Sequence, residues 1–479
     1  MMDGAAVPWV HAPLAHWAQT RALAPAISDG RQVLTFAALH EKVQQHAKAL
    51  NNASAGALVF VDEQASTSAQ LVDFLGIVAS GRCAAVGDPE WPEAVRAQVR
   101  QAALNGATAQ ENTLSPLGDL PFYVGFTSGS TGFPKGFVRH HRSWVESFRV
   151  CLFTFGPDAA ARILAPGRVS HSLFLFGMLL GLWSGAGVVV QNKFSAARAL
   201  EALRLEHIPC LVAVPSQLLM MLDWAAHRGL GPIDSVRLVL ISGARWMRHR
   251  TPDLQALFPN ARIVEFYGAS ETSFIAWMDA DESVSPQVVG RPFSNVDIEI
   301  REPAGPEGAG LIFVRSPMLF QGYLGGGADA TAALRDGDSL SVRDMGYLDD
   351  QGRLCLVGRQ NRMVVTQGKN LFPEEVETVL CGHPQILQAS VLGVPDPVRG
   401  QQVVAVVLVD AATSTQAADL TAWCRERLEP YKVPRKFWLC DAWPFTPSGK
   451  TDHTRLARVL VGLNNPPDAG ETCRLTALH

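Results

Sequence analysis

Residues 123–136, YVGFTSGSTGFPKG, decide the reading of this chain. The apolar run YVGF predicts a strand. It opens into a loop of Thr127, Ser128, Gly129, Ser130, Thr131 and Gly132, followed by Pro134, Lys135 and Gly136. Glycines let backbone N–H groups approach an anion closely, hydroxyls donate further hydrogen bonds, and Lys135 adds charge. The composition of the loop therefore points to phosphate. It is not a Walker loop, because the G-x4-G-K-[ST] spacing is absent here. That spacing is also absent at Gly449-Lys450-Thr451, where the required upstream glycine is Pro444.

Composition narrows the class around this loop. The chain has 479 residues, with 41 Lys plus Arg against 45 Asp plus Glu, a net charge of −4. That near-balance argues against a nucleic-acid partner, which calls for a positive excess. At 47% apolar and 18% charged residues the chain can bury large cores, which excludes global disorder. At roughly 150 residues per domain, the length suggests two to four units. The eight cysteines are scattered and form no C-x2-C pair, so they read as reduced thiols of a cytoplasmic protein. The N-terminus lacks the basic and apolar regions of a signal peptide. Ser172 to Val190 is a 19-residue run without a charge, long enough to suggest a membrane span. Its four glycines and β-branched end favour a buried helix breaking into a buried strand, so no integral span is expected.

Strand and helix patterns alternate through most of the chain. Residues 39–50 place Leu39, Val43, Ala47 and Leu50 on one helical face. Strands are expected at 57–61, 210–214, 236–241, 263–267, 296–300 and 311–315, which suggests α/β units around buried sheets. Asp349 to Gly352 reads as a hairpin turn. Beyond Arg359 a separate α+β stretch is expected: a helix at 374–380, strands near 388–393 and 403–409, and a helix at 419–428 opened by Asp419. The Pro-rich tail after about residue 463 reads as loosely ordered.

Four further segments carry chemistry-bearing residues: FYGASET (266–272), RDMGYLDDQGRL (343–354), GRQNRMVVTQGKNLFPEEVE (358–377) and TPSGKTDHTRL (446–456). With the Gly/Ser loop, these five segments resemble, in order, the motifs of the adenylate-forming superfamily. That superfamily includes acyl-CoA synthetases, nonribosomal-peptide adenylation domains and firefly luciferases. Weaker likenesses are ISGARW (241–246), which contains Gly243, VGRPFSNVDIEI (289–300) and LEPYKVPRKF (428–437). The resemblance runs from about residue 14 to 462.

The resemblance implies a fold and a reaction. A large domain, residues 1–359, would hold layered α/β sheets and a small β-barrel-like subdomain. A small mobile α+β lid, residues 360–479, would follow, with ATP and the acid between them. The loop 127–132 with Lys135 would bind phosphates, and Gly243 would lie near adenine. Tyr267 would pack on adenine beside Gly268, Ser270 would help hold phosphate, and Glu271 would bind Mg²⁺, a hard cation that needs oxygen ligands. Asp344 would accept the ribose hydroxyls, and Arg359 would contact ribose or phosphate. Gly368 would let the pantetheine of coenzyme A pass. Lys450 would bridge carboxylate and α-phosphate oxygens, and His171 would line the carboxylate end of the acid. The chain departs from the motifs at Val342-Arg343, where Thr-Gly is usual, at Asn361, where the hinge has Asp or Lys, and at Val365, where Lys is common.

The substrate reading rests on the residues just after His171. Ser172 and then Leu173 to Phe176 stand where an amino-acid-activating domain places an Asp. Without a buried anion an ammonium is poorly accommodated. The expected substrate is therefore a hydrophobic fatty or aryl carboxylic acid, converted to acyl-AMP and then to a coenzyme A thioester. The alternatives are a free-standing ligase that loads a separate carrier protein's phosphopantetheine, and a degenerate relative that only binds nucleotide or acyl groups.

Overall fold

The computed structural model describes residues 9–50, 57–108, 119–128, 134–303, 306–326, 333–409, 415–446, 450–462 and 473–478. They form a mixed α/β fold of two compact units. The first unit comprises residues 1–285, 289–298 and 314–342. The second comprises 286–288, 299–313 and 343–479.

The first unit contains two sheets. In one, the short strands Leu58–Phe60 and Cys83–Ala85 run parallel to Pro121–Ser128, which turns back antiparallel into Pro134–His140. In the other, six strands lie parallel in the order Pro25–Ser28, Val188–Val190, Ile163–Ala165, Cys210–Ala213, Leu238–Ile241 and Arg262–Ala269. The central strands are buried along their whole length, which is why they read as continuous apolar runs rather than alternating ones. The helix Phe36–Ala49 buries Phe36, Leu39, Val43 and Ala47, the expected face, and Thr35 caps it by accepting the Ala38 N–H.

The uncharged run resolves as expected. Ser172–Trp183 is a helix whose residues Phe174 to Leu182 are all buried, and Val188–Val190 is a buried strand. Among the described residues, no helix is long and apolar enough to cross a membrane.

The second unit carries the strands Asp344–Leu348 and Leu354–Arg359, joined by the expected turn at Asp349 to Gly352. Its four-stranded sheet pairs Ile386–Asp396 with Gly400–Val409, then Lys436–Cys440, then Leu475–Leu478. Alternation along Gly400–Val409 explains the layers. Val403, Ala405 and Val407 face the helices Pro373–Cys381 and Ala417–Arg425, while Val406 faces Trp443 and Leu456. Two expectations change here. Asp419 does not open its helix: Gln416 is the N-cap, and Asp419 reaches back to the Gln416 N–H from the third helical position. The last strand, Leu475–Leu478, was not anticipated, since four residues of mixed polarity carry no periodic signal of their own. The tail at 463–472 lies outside the described residues.

Candidate active site

Gly129, Ser130, Thr131 and Gly132 lie outside the described residues, but the strands that present them are described. Thr127 and Ser128 are not loop residues, as the sequence suggested. They end the first strand, with Thr127 opposite Lys135 and Ser128 opposite Pro134. The two strands that flank residues 129–133 pair antiparallel with each other up to Ser128 and Pro134.

The FYGASET segment leaves the strand Arg262–Ala269 through a tight turn into Ser273–Asp279. Thr272 closes the turn: its Oγ1 accepts the Ala269 N–H at 3.1 Å, and its own N–H donates to the Ala269 carbonyl at 3.2 Å. Gly268 is required there, since a Cβ would lie 1.9 Å from the Ser273 carbonyl oxygen. Ser273 itself sits at φ +58°, a left-handed conformation that is uncommon for serine. The turn presents Glu271, whose Oε1 accepts the Tyr323 hydroxyl at 2.8 Å and whose carbonyl accepts the Phe320 N–H at 2.8 Å. The other carboxylate oxygen accepts no hydrogen bond from the described residues. Beside it, Ser270 Oγ lies 3.4 Å from Ser172 Oγ, which brings the start of the Ser172–Trp183 helix to this turn. Gly243 lies after the buried strand Leu238–Ile241, at φ +89° with Val214 packed close against it.

An isolated carboxylate with an open oxygen suits Mg²⁺, which is usually held by one or two carboxylates together with substrate phosphates rather than by a protein cage. Among the described residues no group of three or more His, Cys, Asp or Glu forms such a cage. The donors present therefore fit a nucleotide-borne magnesium ion.

His171 precedes the first residue of the Ser172–Trp183 helix. The structure places Asp88 3.9 Å from its Nε2, a neighbour the sequence did not suggest. Asp88 is buried and already compensated: Arg168 donates to it at 3.2 Å, and Ser170 and the Glu90 N–H also hydrogen-bond it. The Arg168 side chain also pairs with Glu90, and that hydrogen bond holds the Glu90 carboxyl below its ordinary range. Asp88 lies 83 positions before His171, so no spacing rule could have linked them.

In the second unit, Asp344 and Arg359 face each other across a strand pair, and Arg359 Nε donates to Asp344 Oδ1 at 2.8 Å. The substituted Arg343 adopts φ +65° and bonds Gln360 through its side chain at 3.0 Å. Thus one departure from the motif is tied by hydrogen bonding to the turn that follows Arg359. Gly368 follows Gln367, and both have positive φ (73° and 53°) in the two-residue turn between Val364–Thr366 and Lys369–Leu371. A type I′ hairpin demands that geometry, so the fold alone explains this glycine. Lys450 is exposed, and its backbone is pinned to Thr446: its N–H donates to Thr446 Oγ1 at 3.2 Å, and its carbonyl accepts the Thr446 N–H at 2.7 Å.

Sequence reasoning also missed Arg362, next to Asn361. It donates to Glu374 at 2.8 Å and to Glu377 at 2.6 Å, and its Nη2 lies 3.3 Å from His453 Nδ1. The turn Gln360–Arg362, the helix Pro373–Cys381 and the helix His453–Gly462 meet at this one side chain. Burial raises the Glu374 carboxyl despite the nearby guanidinium, and burial holds His453 near pKa 4, hence neutral.

Comparison with known proteins identifies the family. The model of the AMP-binding enzyme family matches residues 53–324, and that of the AMP-binding enzyme C-terminal domain matches residues 375–450. An uncharacterised acyl-CoA ligase, YhfT, of Bacillus subtilis is 41% identical over 353 residues, covering 73% of this chain and 70% of that protein. The 2-succinylbenzoate–CoA ligase of Bacillus velezensis is 30% identical over 351 residues, 70% of this chain and 68% of that one. In fold, the chain is similar to the O-succinylbenzoate coenzyme A synthetase MenE of Bacillus subtilis in complex with AMP, with a TM-score of 0.79 at 21% identity, covering 92% and 97% of the two chains. The family-model match over residues 53–324, with 41% identity to an acyl-CoA ligase across 73% of the chain, places this chain in the family of AMP-binding, adenylate-forming enzymes.

Proposed function

We propose that this enzyme activates a hydrophobic fatty or aryl carboxylic acid with ATP to acyl-AMP and pyrophosphate, then transfers the acyl group to the thiol of coenzyme A. The observation that carries this reading is Glu271. It is a carboxylate fixed by Tyr323, with one oxygen open, on a turn that the Ser172–Trp183 helix reaches.

In the first step a carboxylate oxygen of the acid attacks the α-phosphorus, and pyrophosphate leaves. No protein nucleophile is needed; the chain positions the reactants and stabilises charge. The segment 127–132 with Lys135 holds phosphate oxygens through backbone N–H groups, hydroxyls and charge. Tyr267 packs on adenine beside Gly243 and Gly268, and Asp344 accepts the ribose hydroxyls next to Arg359. Glu271 ligates Mg²⁺, which supplies neutralisation of phosphate charge when bound. Lys450 neutralises charge at the α-phosphate and the attacking carboxylate. Rotation of a lid, residues 360–479, about Asn361 then presents the Gly368 turn to the incoming thiol, whose sulfur attacks the acyl carbonyl carbon; the acyl–phosphate C–O bond breaks and AMP leaves. The apolar helix behind His171 favours a hydrophobic acyl group. Asp88 does not change that preference, because Arg168 already occupies it. ATP and coenzyme A are drawn from the cytoplasm.

The test is carboxylate-dependent pyrophosphate release from MgATP across a panel of fatty, aryl and amino acids, with and without coenzyme A. Release with a fatty or aryl acid and thioester formation with coenzyme A are expected. Adenylate without a coenzyme A thioester would replace coenzyme A by a carrier protein's phosphopantetheine. Release only with amino acids would overturn the substrate class, and no release alongside retained nucleotide binding would mark a degenerate relative.

A further inference from the structure

Arg139, on the strand Pro134–His140, is the largest fully buried side chain among the described residues. A guanidinium taken out of water is costly unless its surroundings are polar and oriented. Here they are. Nη1 donates to the Ser270 carbonyl at 2.9 Å, while Nη2 donates to Ser273 Oγ at 2.6 Å and to the Met318 carbonyl at 2.6 Å.

Those three acceptors surround Glu271. Ser270 and Ser273 bracket the turn that presents it. Met318 leads into the segment whose Phe320 N–H donates to the Glu271 carbonyl and whose Tyr323 hydroxyl donates to its carboxylate. That segment returns to the strand that carries Arg139, with Gly322 opposite Val138 and Tyr323 opposite Phe137. Arg139 therefore sits inside a closed circuit of strand, turn and returning segment, and Glu271 is held from both sides of it. Burial lowers the Arg139 guanidinium to about 9, and the Glu271 charge opposes that shift. An apolar side chain would fill the same volume without the cost of a buried cation. What it could not do is hold two carbonyls and a hydroxyl from separate segments at once.

We propose that Arg139 is a positioning residue for magnesium binding. It fixes the turn that aims the open Glu271 oxygen at the cation carried by the nucleotide. The inference rests on the reading of Glu271 as the magnesium ligand.

The experiment measures the affinity of the full chain for a non-hydrolysable ATP analogue by titration calorimetry, with and without Mg²⁺. The quantity read is the gain in affinity that Mg²⁺ provides. Loss of a residue that orients a metal ligand costs about 10–100-fold in metal affinity, so Arg139→Met is expected to cut the gain at least about tenfold. Its affinity without Mg²⁺ should stay within about twofold of wild type. Arg139→Lys keeps the charge but cannot span all three acceptors, so it gives an intermediate loss. In a Glu271→Gln background, Arg139→Lys adds no further loss. If Arg139→Met fails to fold, the two Lys variants decide. An equal drop with and without Mg²⁺, an unchanged gain in Arg139→Lys, or a loss that adds fully to that of Glu271→Gln would overturn the positioning role. If Glu271→Gln itself leaves the Mg²⁺ gain intact, the metal reading of Glu271 falls, and the role of Arg139 falls with it.

Discussion

Lys450→Ala is expected to separate the two half-reactions. Lys450 is exposed, and the contacts that hold its backbone to Thr446 use main-chain atoms of residue 450. Alanine keeps both contacts. An exposed substitution of this kind changes stability by about 0.5 kcal/mol or less, so any larger effect on rate reports the lost ammonium. Removing one preorganised donor to developing charge costs about 10²–10³-fold in rate, or about 2.7–4 kcal/mol. The assay has two arms. Pyrophosphate release from MgATP and acid reads the first half-reaction, and coenzyme A thioester formation from supplied acyl-AMP reads the second. The first should fall by that factor while the second stays within a few-fold of wild type. Equal loss in both arms would refute the assignment and reduce Lys450 to a structural element of the lid, and an unchanged first arm would remove it from the chemistry.

Buried charge sets two other expectations. Arg362→Ala leaves Glu374 and Glu377 facing each other without their shared cation, and breaking such a pair costs about 3 kcal/mol. Urea unfolding of the full chain should show it, and a loss below about 0.5 kcal/mol would refute the clamp. His140 and His11 are held near pKa 4 and His141 near 2, in each case chiefly by burial, against an ordinary value of 6.5. Because the folded values lie below the unfolded one, the stability contributed by these neutral rings is complete above pH 6.5 and declines as pH falls toward 4. Thermal unfolding followed from pH 7.5 to 5 should show a falling midpoint, and His141→Gln should flatten the fall; a flat wild-type profile would refute the burial argument.

Much of this was legible because it is local. The stretch proposed to bind phosphate stands out through glycines, hydroxyls and a lysine in one short run, since backbone approach to an anion needs those residues side by side. The apolar strands and the helix face of Leu39, Val43 and Ala47 are legible for a similar reason: burial of a helix stripe or a two-faced strand writes its period into neighbouring positions. The Asp344–Arg359 pair was legible only as two motif residues; that they form an ion pair depends on strand register.

The residues that fix the chemistry in space were not legible. Arg139 carries no local signal of burial, yet it is 1% exposed, because two segments more than 130 positions away supply carbonyls to it. Asp88 meets His171, and Arg362 meets Glu377 and His453, through contacts that equally lack any local signal. By itself the sequence determined which chemistry is available: an anion-binding loop, a carboxylate after a strand, a lysine on a glycine-adjacent loop. Only the tertiary structure decided which buried charges are compensated and by whom. A charge can leave water only where partners from several chain segments converge, and that convergence is a property of packing, with no trace in the spacing of residues along the chain.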